Sequence, residues 1–306
     1  MSPRQTHGLV AAPFTPQHPD GTLNLEAIAP YARHLRRLGV VGAFVCGTTG
    51  EGASLTGEER RRVAERWVAA APADLRVIVH VGHTCLEDSR ALAAHAQEIG
   101  ADSISCLAPY FFRPAGVPGL VDWCAAVAAA APRLPFYYYH MPSMTGLHLA
   151  VVDFLAAARH RIPTLAGVKY TFEDLDDFER CVRFDGGRYD ILFGRDELLH
   201  SALRRGARGA VGSTYNFAAP LYVALMAAFA AGDETTAASL QARAVEMIQT
   251  AVNAGGHPIA AFKTLMDAVG CPCGPCRLPL VNPTSSQAEE LRAKLAALDC
   301  LARAEP

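Results

Sequence analysis

Apolar residues are concentrated in eight short runs along the first 212 positions, and segments with helical spacing of apolar residues lie between them. The runs cover residues 8–12, 40–46, 77–81, 103–108, 134–140, 165–170, 190–193 and 207–212. Most are continuous rather than alternating, which is typical of strands buried on both faces. The pattern therefore predicts eight buried strands.

The segments between the runs carry helix signals. Helical spacing is clearest in residues 25–38, 57–71 and 87–99. Thr56 followed by Glu59 is the signature of a capping box at the start of a helix, and Gly39, Gly100 and Gly206 stand where glycines that end helices are expected. Eight strands alternating with helices predict an α/β fold, a closed (β/α)8 TIM barrel.

After residue 215 only helix signals remain. They cover residues 218–231, 234–254, 258–268 and 286–301. One of these helices would complete the barrel and the others would form an extension. Because no low-complexity linker separates the parts, we expect a barrel over residues 1–230 and a helical extension over residues 231–306, packed as one continuous globule.

Composition and charge restrict the possible partners and location. The chain has 28 basic and 30 acidic residues, so it lacks the broad basic surface of a nucleic-acid-binding protein. No apolar stretch reaches the ~18 residues that a membrane span requires, and residues 1–16 do not resemble a targeting segment. We expect no nucleic-acid or membrane partner and, with nine cysteines and no signal peptide, a cytoplasmic location.

Three cysteines near the C-terminus need separate consideration. Cys271, Cys273 and Cys276 could bind zinc, but structural zinc sites favour C-x2-C pairs and a fourth ligand. Only His257 is near in sequence. The spacing favours a proline-rich loop that carries thiols, and we predict no metal site.

Lysine is scarce, with only three in the chain: Lys169, Lys263 and Lys294. Lys169 alone lies in a predicted strand, where burying an ammonium group is costly. Desolvation would lower the pKa of Lys169 and leave an amine able to form a Schiff base with a carbonyl substrate. Alternatively, Lys169 reaches solvent from the strand end or pairs with Glu173 or Asp174.

Polar side chains follow several predicted strands, where the active site of a barrel is expected. Two threonines between glycines, Thr48 and Thr49, could bind a small carboxylate or phosphate, or simply form a tight turn. Tyr137 and Tyr139 should share one face of the fifth strand, and Tyr138 the other face with His140.

Two later strands also end in polar segments. Asp196 and Glu197 follow the seventh strand and could hold a metal, act as acid and base, bind sugar hydroxyls or cap the next helix. The eighth strand ends in small residues with hydroxyls, Ser213 and Thr214.

Taken together, these segments resemble the pyruvate-dependent class I aldolases of the dihydrodipicolinate synthase and N-acetylneuraminate lyase family. The resemblance is carried, in order, by residues 47–51, Tyr139, Lys169 with Thr171, and residues 212–214. It spans roughly residues 8–300. Residues 136–146, 162–169 and 192–216 resemble the lyase branch, in the form found in animals.

The resemblance implies a barrel with a helical extension, usually a homotetramer, that needs no metal or organic cofactor. It implies reversible cleavage of the sugar acid N-acetylneuraminate to N-acetylmannosamine and pyruvate. Lys169 would form the Schiff base, Tyr139 would transfer a proton, and Thr48 and Thr49 would hold the pyruvate carboxylate. The residues that would contact the sugar chain are Thr171, Gly194, Asp196, Glu197 and Ser213.

Two departures from the residue pattern of the synthase argue against a synthase activity. Met144 stands where the synthase has an arginine for a second carboxylate, and Phe111 best matches a tyrosine that the synthase shares across a subunit interface. Which of Tyr110, Phe111 and Phe112 reaches the site stays open. Other possibilities are an aldolase for a 2-keto-3-deoxygluconate-type acid and a silent barrel that only binds 2-oxo acids. Lys169 and Tyr139 together argue against the silent barrel, since a binder needs neither.

Overall fold

A computed structural model describes residues 5–302 and contains a closed barrel of eight strands in the order β1 to β8. The strands are β1 Gly8–Ala11, β2 Gly42–Val45, β3 Arg76–His80, β4 Ser103–Leu107, β5 Phe136–His140, β6 Leu165–Tyr170, β7 Asp190–Phe193 and β8 Gly209–Gly212. All eight lie within or next to the predicted runs, and the recorded strand pairs are parallel.

Helices connect the strands and continue after the last one. They are α1 Ile28–Arg37, α2 Gly57–Ala70, α3 Leu86–Glu98, α4 Val117–Ala129, α5 Pro142–Thr145, α6 Val151–Ala158, α7 Leu175–Arg183, α8 Leu199–Arg204, α9 Tyr215–Ala230, α10 Glu234–Val252, α11 Pro258–Thr264 and α12 Ser285–Ala297. The predicted fold class, a TIM barrel with C-terminal helices, is confirmed.

The predicted helix boundaries have physical causes that the structure shows. Thr56 and Glu59 form both hydrogen bonds of the capping box at the start of α2. Gly39, Gly100 and Gly206 have φ angles of +82°, +79° and +94°, a backbone conformation that favours glycine at a helix end.

Several predicted elements are shorter in the structure than expected, with β2, α11 and α12 among them. β2 ends at Val45 because the next residue, Cys46, has a φ of +59° and leaves the extended conformation. The predicted helix over residues 258–268 ends at Thr264, after which turns continue to Gly270.

By internal contacts the chain divides into two compact units. The first contains residues 5–7 and Val77–Val211. Buried Asp190 organises part of its interior, accepting hydrogen bonds from the Thr6 hydroxyl at 2.7 Å and the Tyr137 hydroxyl at 2.9 Å. On the neighbouring strand only glycine fits at Gly167, because a Cβ there would lie 1.8 Å from the carbonyl oxygen of Asp190.

The second unit contains Gly8–Arg76 and residues 212–302. Its interior includes Tyr31 of α1, whose hydroxyl donates to the Asn216 side-chain oxygen at 2.6 Å. The domain boundary predicted near residue 230 stays a prediction, and the outer ends of the two predicted domains, residues 1–4 and 303–306, lie outside the described residues. Within residues 5–302, no helix combines the length and apolar character needed to cross a membrane.

Candidate active site

Lys169 lies on β6 with only 4% of its surface exposed. Burial lowers the pKa of its ammonium group from 10.5 to about 7, and the negative charge of Asp196 partly opposes that shift. An ordinary lysine is almost fully protonated at pH 7, whereas this one has a substantial fraction of free amine. Lys169 is therefore suited to attack a carbonyl carbon.

The alternative surroundings considered for Lys169 do not match the structure. A side chain that is 4% exposed does not reach into solvent. Glu173 instead pairs with Arg195 at 3.2 Å. The Asp174 carboxylate caps α7, where it accepts from the backbone N–H groups of Asp176 and Asp177.

Tyr139 is the register neighbour of Lys169 on the adjacent strand β5. The Lys169 Nζ lies 4.1 Å from the centre of the Tyr139 ring. The Tyr139 hydroxyl contacts the Met141 sulfur at 2.9 Å, and the edge of its ring system packs against His80 with ring centres 5.5 Å apart. These contacts fix the phenol beside the amine.

The rest of β5 follows the predicted alternation of faces. Tyr137 points to Asp190 on β7, whereas Tyr138 packs on Phe154 of α6 with ring centres 4.5 Å apart. Tyr138 also lies 3.3 Å from His140 Nδ1. Tyr138 and His140 thus belong to the strand–helix layer, as predicted.

Thr171 and Gly194 lie in direct contact after the ends of β6 and β7. The Gly194 N–H donates to the carbonyl of Tyr170 at 2.7 Å. A Cβ at Gly194 would lie 2.0 Å from the Thr171 hydroxyl oxygen, so a side chain at this position requires movement. The Thr171 hydroxyl is buried and has no hydrogen-bond partner among residues 5–302, which leaves it able to bind a polar ligand.

The adjacent carboxylates Asp196 and Glu197 have different surroundings. Asp196 is buried and acts electrostatically on Lys169. Glu197 accepts from Arg195 Nε at 2.8 Å, and the same arginine binds Glu173. Neither carboxylate caps α8, whose first turn has no side-chain cap.

The second unit contains the remaining predicted residues. Thr48 and Thr49 lie in a loop over residues 47–52 that we call the threonine loop, and Ser213 directly follows β8. The Thr49 and Ser213 hydroxyl oxygens lie 2.6 Å apart. The loop closes through a backbone hydrogen bond from Gly52 to Gly47 at 3.0 Å, and the Thr48 carbonyl accepts from the N–H of Glu51 at 3.1 Å. The segment therefore forms the predicted tight turn, and it also places the Thr49 hydroxyl against that of Ser213.

Sequence reasoning missed several residues that support these groups. His80 is the last residue of β3 and lies inside the predicted run over residues 77–81, where a polar residue could have been noticed. Asn216 donates to the carbonyls of Ser213 and Ala12, both at 2.7 Å, and so fixes the segment after β8. Buried Glu51 and Lys263 form an ion pair with no local signal in the sequence.

The cysteine cluster lies in a loop without regular secondary structure, over residues 271–277. Cys273 is buried and its thiol donates to the carbonyl of Cys271 at 3.3 Å. Burial raises the pKa of the Cys276 thiol to about 12, which disfavours the thiolate needed for metal binding. Within residues 5–302, no group of three or more His, Cys, Asp or Glu side chains is arranged to hold a metal ion.

The residues predicted to weaken a synthase activity lie on exposed segments. Met144, on the short helix α5, is 55% exposed, and Phe111 and Phe112 are 75% and 85% exposed. Tyr110 is less exposed than either phenylalanine.

Comparisons with known proteins extend over nearly the whole chain. N-acetylneuraminate lyase of Mus musculus is 44% identical over 302 residues, which is 97% of this chain and 94% of the mouse protein. The solved structure of Proteus mirabilis N-acetylneuraminate lyase has a TM-score of 0.94 and 42% identity, covering 97% of this chain and 100% of that one. For the sialic acid aldolase of Aliivibrio salmonicida the TM-score is 0.94 and the identity 41%, covering 98% of this chain and 99% of that one.

The likeness to the animal form is therefore shared by bacterial lyases at similar identity. The dihydrodipicolinate synthetase family profile matches residues 5–298. The family expected from the strand-end residues is thus confirmed, and this chain belongs to the dihydrodipicolinate synthetase family.

Proposed function

We propose that this protein is a class I aldolase that reversibly cleaves N-acetylneuraminate to N-acetylmannosamine and pyruvate. The observation that carries the proposal is the buried Lys169 amine, with its pKa lowered to about 7, beside the ring of Tyr139. The extended likeness to N-acetylneuraminate lyases supports the choice of sugar acid.

The first chemical step forms the Schiff base. The free amine of Lys169 attacks the 2-oxo carbon of the substrate, and loss of water from the resulting carbinolamine leaves a protonated imine. This iminium accepts electrons from the adjacent carbon–carbon bond. Thr48 and Thr49 hold the substrate carboxylate through their hydroxyl and backbone N–H groups.

The second step breaks the bond between C3 and C4 of the sugar acid. Tyr139 takes the proton of the C4 hydroxyl as its oxygen becomes the aldehyde of N-acetylmannosamine, and the bonding electrons move into the iminium to give an enamine. Protonation of the enamine and hydrolysis of the imine release pyruvate and restore the amine of Lys169.

The sugar portion requires groups that bind several hydroxyls. We assign this role to the buried hydroxyl of Thr171, the carboxylates of Asp196 and Glu197 and the hydroxyl of Ser213. Gly194 contributes because its lack of a side chain lets the segment after β7 lie against Thr171. Carboxylates accept hydrogen bonds from hydroxyl groups without needing a metal ion.

Reduction with borohydride in the presence of pyruvate tests the mechanism. The imine would be trapped as a stable secondary amine, and peptide mass spectrometry would locate it on Lys169. Lys169→Met is the matched control and should give no adduct. Absence of an adduct, or an adduct on Lys263 or Lys294, would overturn the proposal.

A panel of sugar acids tests the substrate. Cleavage of N-acetylneuraminate should exceed that of a 2-keto-3-deoxygluconate-type acid, and condensation of pyruvate with aspartate semialdehyde should be absent. Inactivity toward N-acetylneuraminate despite a pyruvate adduct would identify a different pyruvate-dependent aldolase. Trapping without cleavage of any sugar acid would favour a 2-oxo acid binder.

We also propose a homotetramer located in the cytoplasm. The tetramer rests on the family resemblance, and light scattering of the purified protein should give a mass about four times that of the chain. The cytoplasm fits the nine free thiols, which a reducing compartment preserves. Cell fractionation that placed the protein elsewhere would contradict the location.

A further inference from the structure

The second buried lysine, Lys263 on α11, forms an ion pair with Glu51 of the threonine loop. Its Nζ donates to Glu51 Oε1 at 2.7 Å and to the carbonyl of Pro275 at 2.8 Å. The Lys263 side chain is 1% exposed and that of Glu51 is 0% exposed. A pair buried this completely is expensive to desolvate, so packing alone does not account for it.

Glu51 is held at both carboxylate oxygens. Oε1 accepts from Lys263 and Oε2 accepts from the backbone N–H of Arg277 at 2.8 Å. Two donors from separate parts of the chain fix both the position and the rotation of the carboxylate. Its location therefore depends on residues more than 200 positions later in the sequence.

The backbone at Glu51 is in the left-handed region, with φ at +55°. Residues other than glycine rarely adopt this conformation, and it persists where surrounding contacts impose it. The following Gly52 has no room for a side chain, because a Cβ would lie 2.0 Å from the carbonyl oxygen of Cys46. The loop is thus tightly folded immediately after Thr48 and Thr49.

The cysteine-containing segment over residues 271–277 supplies two of the contacts to this pair. Gly274 has a φ of +66°, and a Cβ there would lie 2.1 Å from the carbonyl of Gln17, so the segment makes a close approach that requires glycine. The Gln17 N–H donates to the Cys273 carbonyl at 2.9 Å. After Gly274 in the same segment, the Arg277 guanidinium binds Glu59 at 2.6 Å.

We propose that the Glu51–Lys263 pair is a positioning device for the threonine loop, through which the C-terminal helices set the affinity for the substrate carboxylate. Neither residue of the pair is one of the predicted catalytic residues. The pair holds the strained residue Glu51 within the loop, and thereby holds the hydroxyl and N–H groups of Thr48 and Thr49. This inference rests on the proposed function, in which those threonines bind the carboxylate of pyruvate.

The test measures how borohydride trapping on Lys169 depends on pyruvate concentration. In Glu51→Asp the charge remains, but the shorter side chain cannot reach both Lys263 and Arg277. The double variant Glu51→Gln with Lys263→Met removes both charges and leaves no unpaired ion in the interior. In each, we expect the half-saturating pyruvate concentration to rise about tenfold or more, since a misplaced loop loses hydrogen bonds to a charged group.

The maximal trapping rate at saturating pyruvate should change much less, because Lys169 and Tyr139 are untouched. A purely structural role would produce the opposite pattern, with less folded protein and an unchanged half-saturating concentration. Circular dichroism and thermal unfolding of each variant provide the fraction folded.

Two controls separate a specific effect from general destabilisation. Leu291→Ala removes a buried side chain of α12 without touching the pair, and Lys294→Met removes an exposed lysine of the same helix. Both should retain the half-saturating concentration of the unaltered protein. An unchanged value in folded Glu51→Asp or in the folded double variant would overturn the positioning role. Failure of the unaltered protein to trap pyruvate would instead overturn the proposed function.

Discussion

Two buried lysines of this chain have contrasting surroundings, and the contrast predicts their chemistry. Lys263 donates to a carboxylate and a carbonyl oxygen at hydrogen-bond distance. Lys169 lies over an aromatic ring, and its pKa falls to about 7 because burial outweighs the attraction of Asp196. Burial alone does not make a lysine nucleophilic, whereas burial without full compensation of the charge does.

The Tyr139 hydroxyl is predicted to transfer the proton at the bond that breaks. Tyr139→Phe should lower kcat for N-acetylneuraminate cleavage by about 10²–10⁴-fold, as expected when a general acid–base group is lost. The half-saturating pyruvate concentration in borohydride trapping should change little, because the ring beside Lys169 remains. Steady-state kinetics and trapping of the same preparation provide both values, and equal losses in the two would show that the role is misassigned.

Asp196 is predicted to set the pH at which Lys169 becomes reactive. The negative charge of Asp196 raises the pKa of the lysine, so Asp196→Asn should lower it further and move the acid limb of pyruvate trapping to lower pH. Trapping rates measured across pH 5 to 9 test the shift. Glu197→Gln is the matched control, since Glu197 binds Arg195, and it should leave the limb in place.

At the scale of strands and loops, glycines determine how closely the functional segments approach. Gly194 allows the end of β7 to lie against Thr171, and Gly167 allows β6 to lie against Asp190. A Cβ at Gly194 would overlap the Thr171 hydroxyl, and a Cβ at Gly167 would overlap the carbonyl oxygen of Asp190. The spacing between these strands therefore depends on the absence of a Cβ.

Gly194→Ala should disturb the sugar subsite but not the Schiff base. The new methyl group would displace Thr171, so we expect the KM for N-acetylneuraminate to rise about tenfold, the effect of one lost hydrogen bond to a polar substrate. The half-saturating pyruvate concentration in trapping should be nearly unchanged. Gly57→Ala is a suitable control because a Cβ there meets nothing within 4 Å. A parallel rise in both constants would mean that the strand movement reaches Lys169.

The strands can be predicted from the sequence, whereas the contacts between charged side chains in the site cannot. Continuous apolar runs predict β6 and β7 because both faces of those strands are buried, and the unusual lysine within one run predicts the position of a reactive amine. The Glu51–Lys263 pair could not be predicted, since the partners lie on a loop and a helix whose apolar spacing says nothing about which charges meet. Asp196 and Glu197 are adjacent in sequence but have different partners, because Arg195 binds Glu197 whereas Asp196 acts on Lys169. The sequence does not specify which partner each carboxylate has.

At the scale of the whole molecule, the reactive amine reduces stability. The folded pKa of Lys169 is about 7 and its ordinary value is 10.5, so between these pH values the unfolded chain binds more protons than the folded one. Folding stability therefore rises with pH through this window. The destabilisation is fully present below about pH 7 and disappears as the pH approaches 10.5.

Lys169→Met should be inactive and more stable than the unaltered protein at pH 7, by about 2–5 kcal/mol, because an apolar side chain of similar shape replaces a desolvated amine. Urea unfolding at several pH values measures the difference. It should shrink steadily from pH 7 toward pH 10.5 and stay level below pH 7. A difference that does not depend on pH would mean that Lys169 has an ordinary pKa.

The scarcity of lysine also has a practical consequence for handling the protein. Of the three lysines, Lys169 and Lys263 are buried, and Lys294 on α12 has 59% of its side chain exposed. Amine-directed coupling to a resin or a fluorophore therefore has one readily accessible lysine, on a helix that carries none of the predicted catalytic or substrate-binding residues. Most proteins of this size would be attached in many orientations through their lysines, whereas attachment through an exposed lysine is confined here to Lys294.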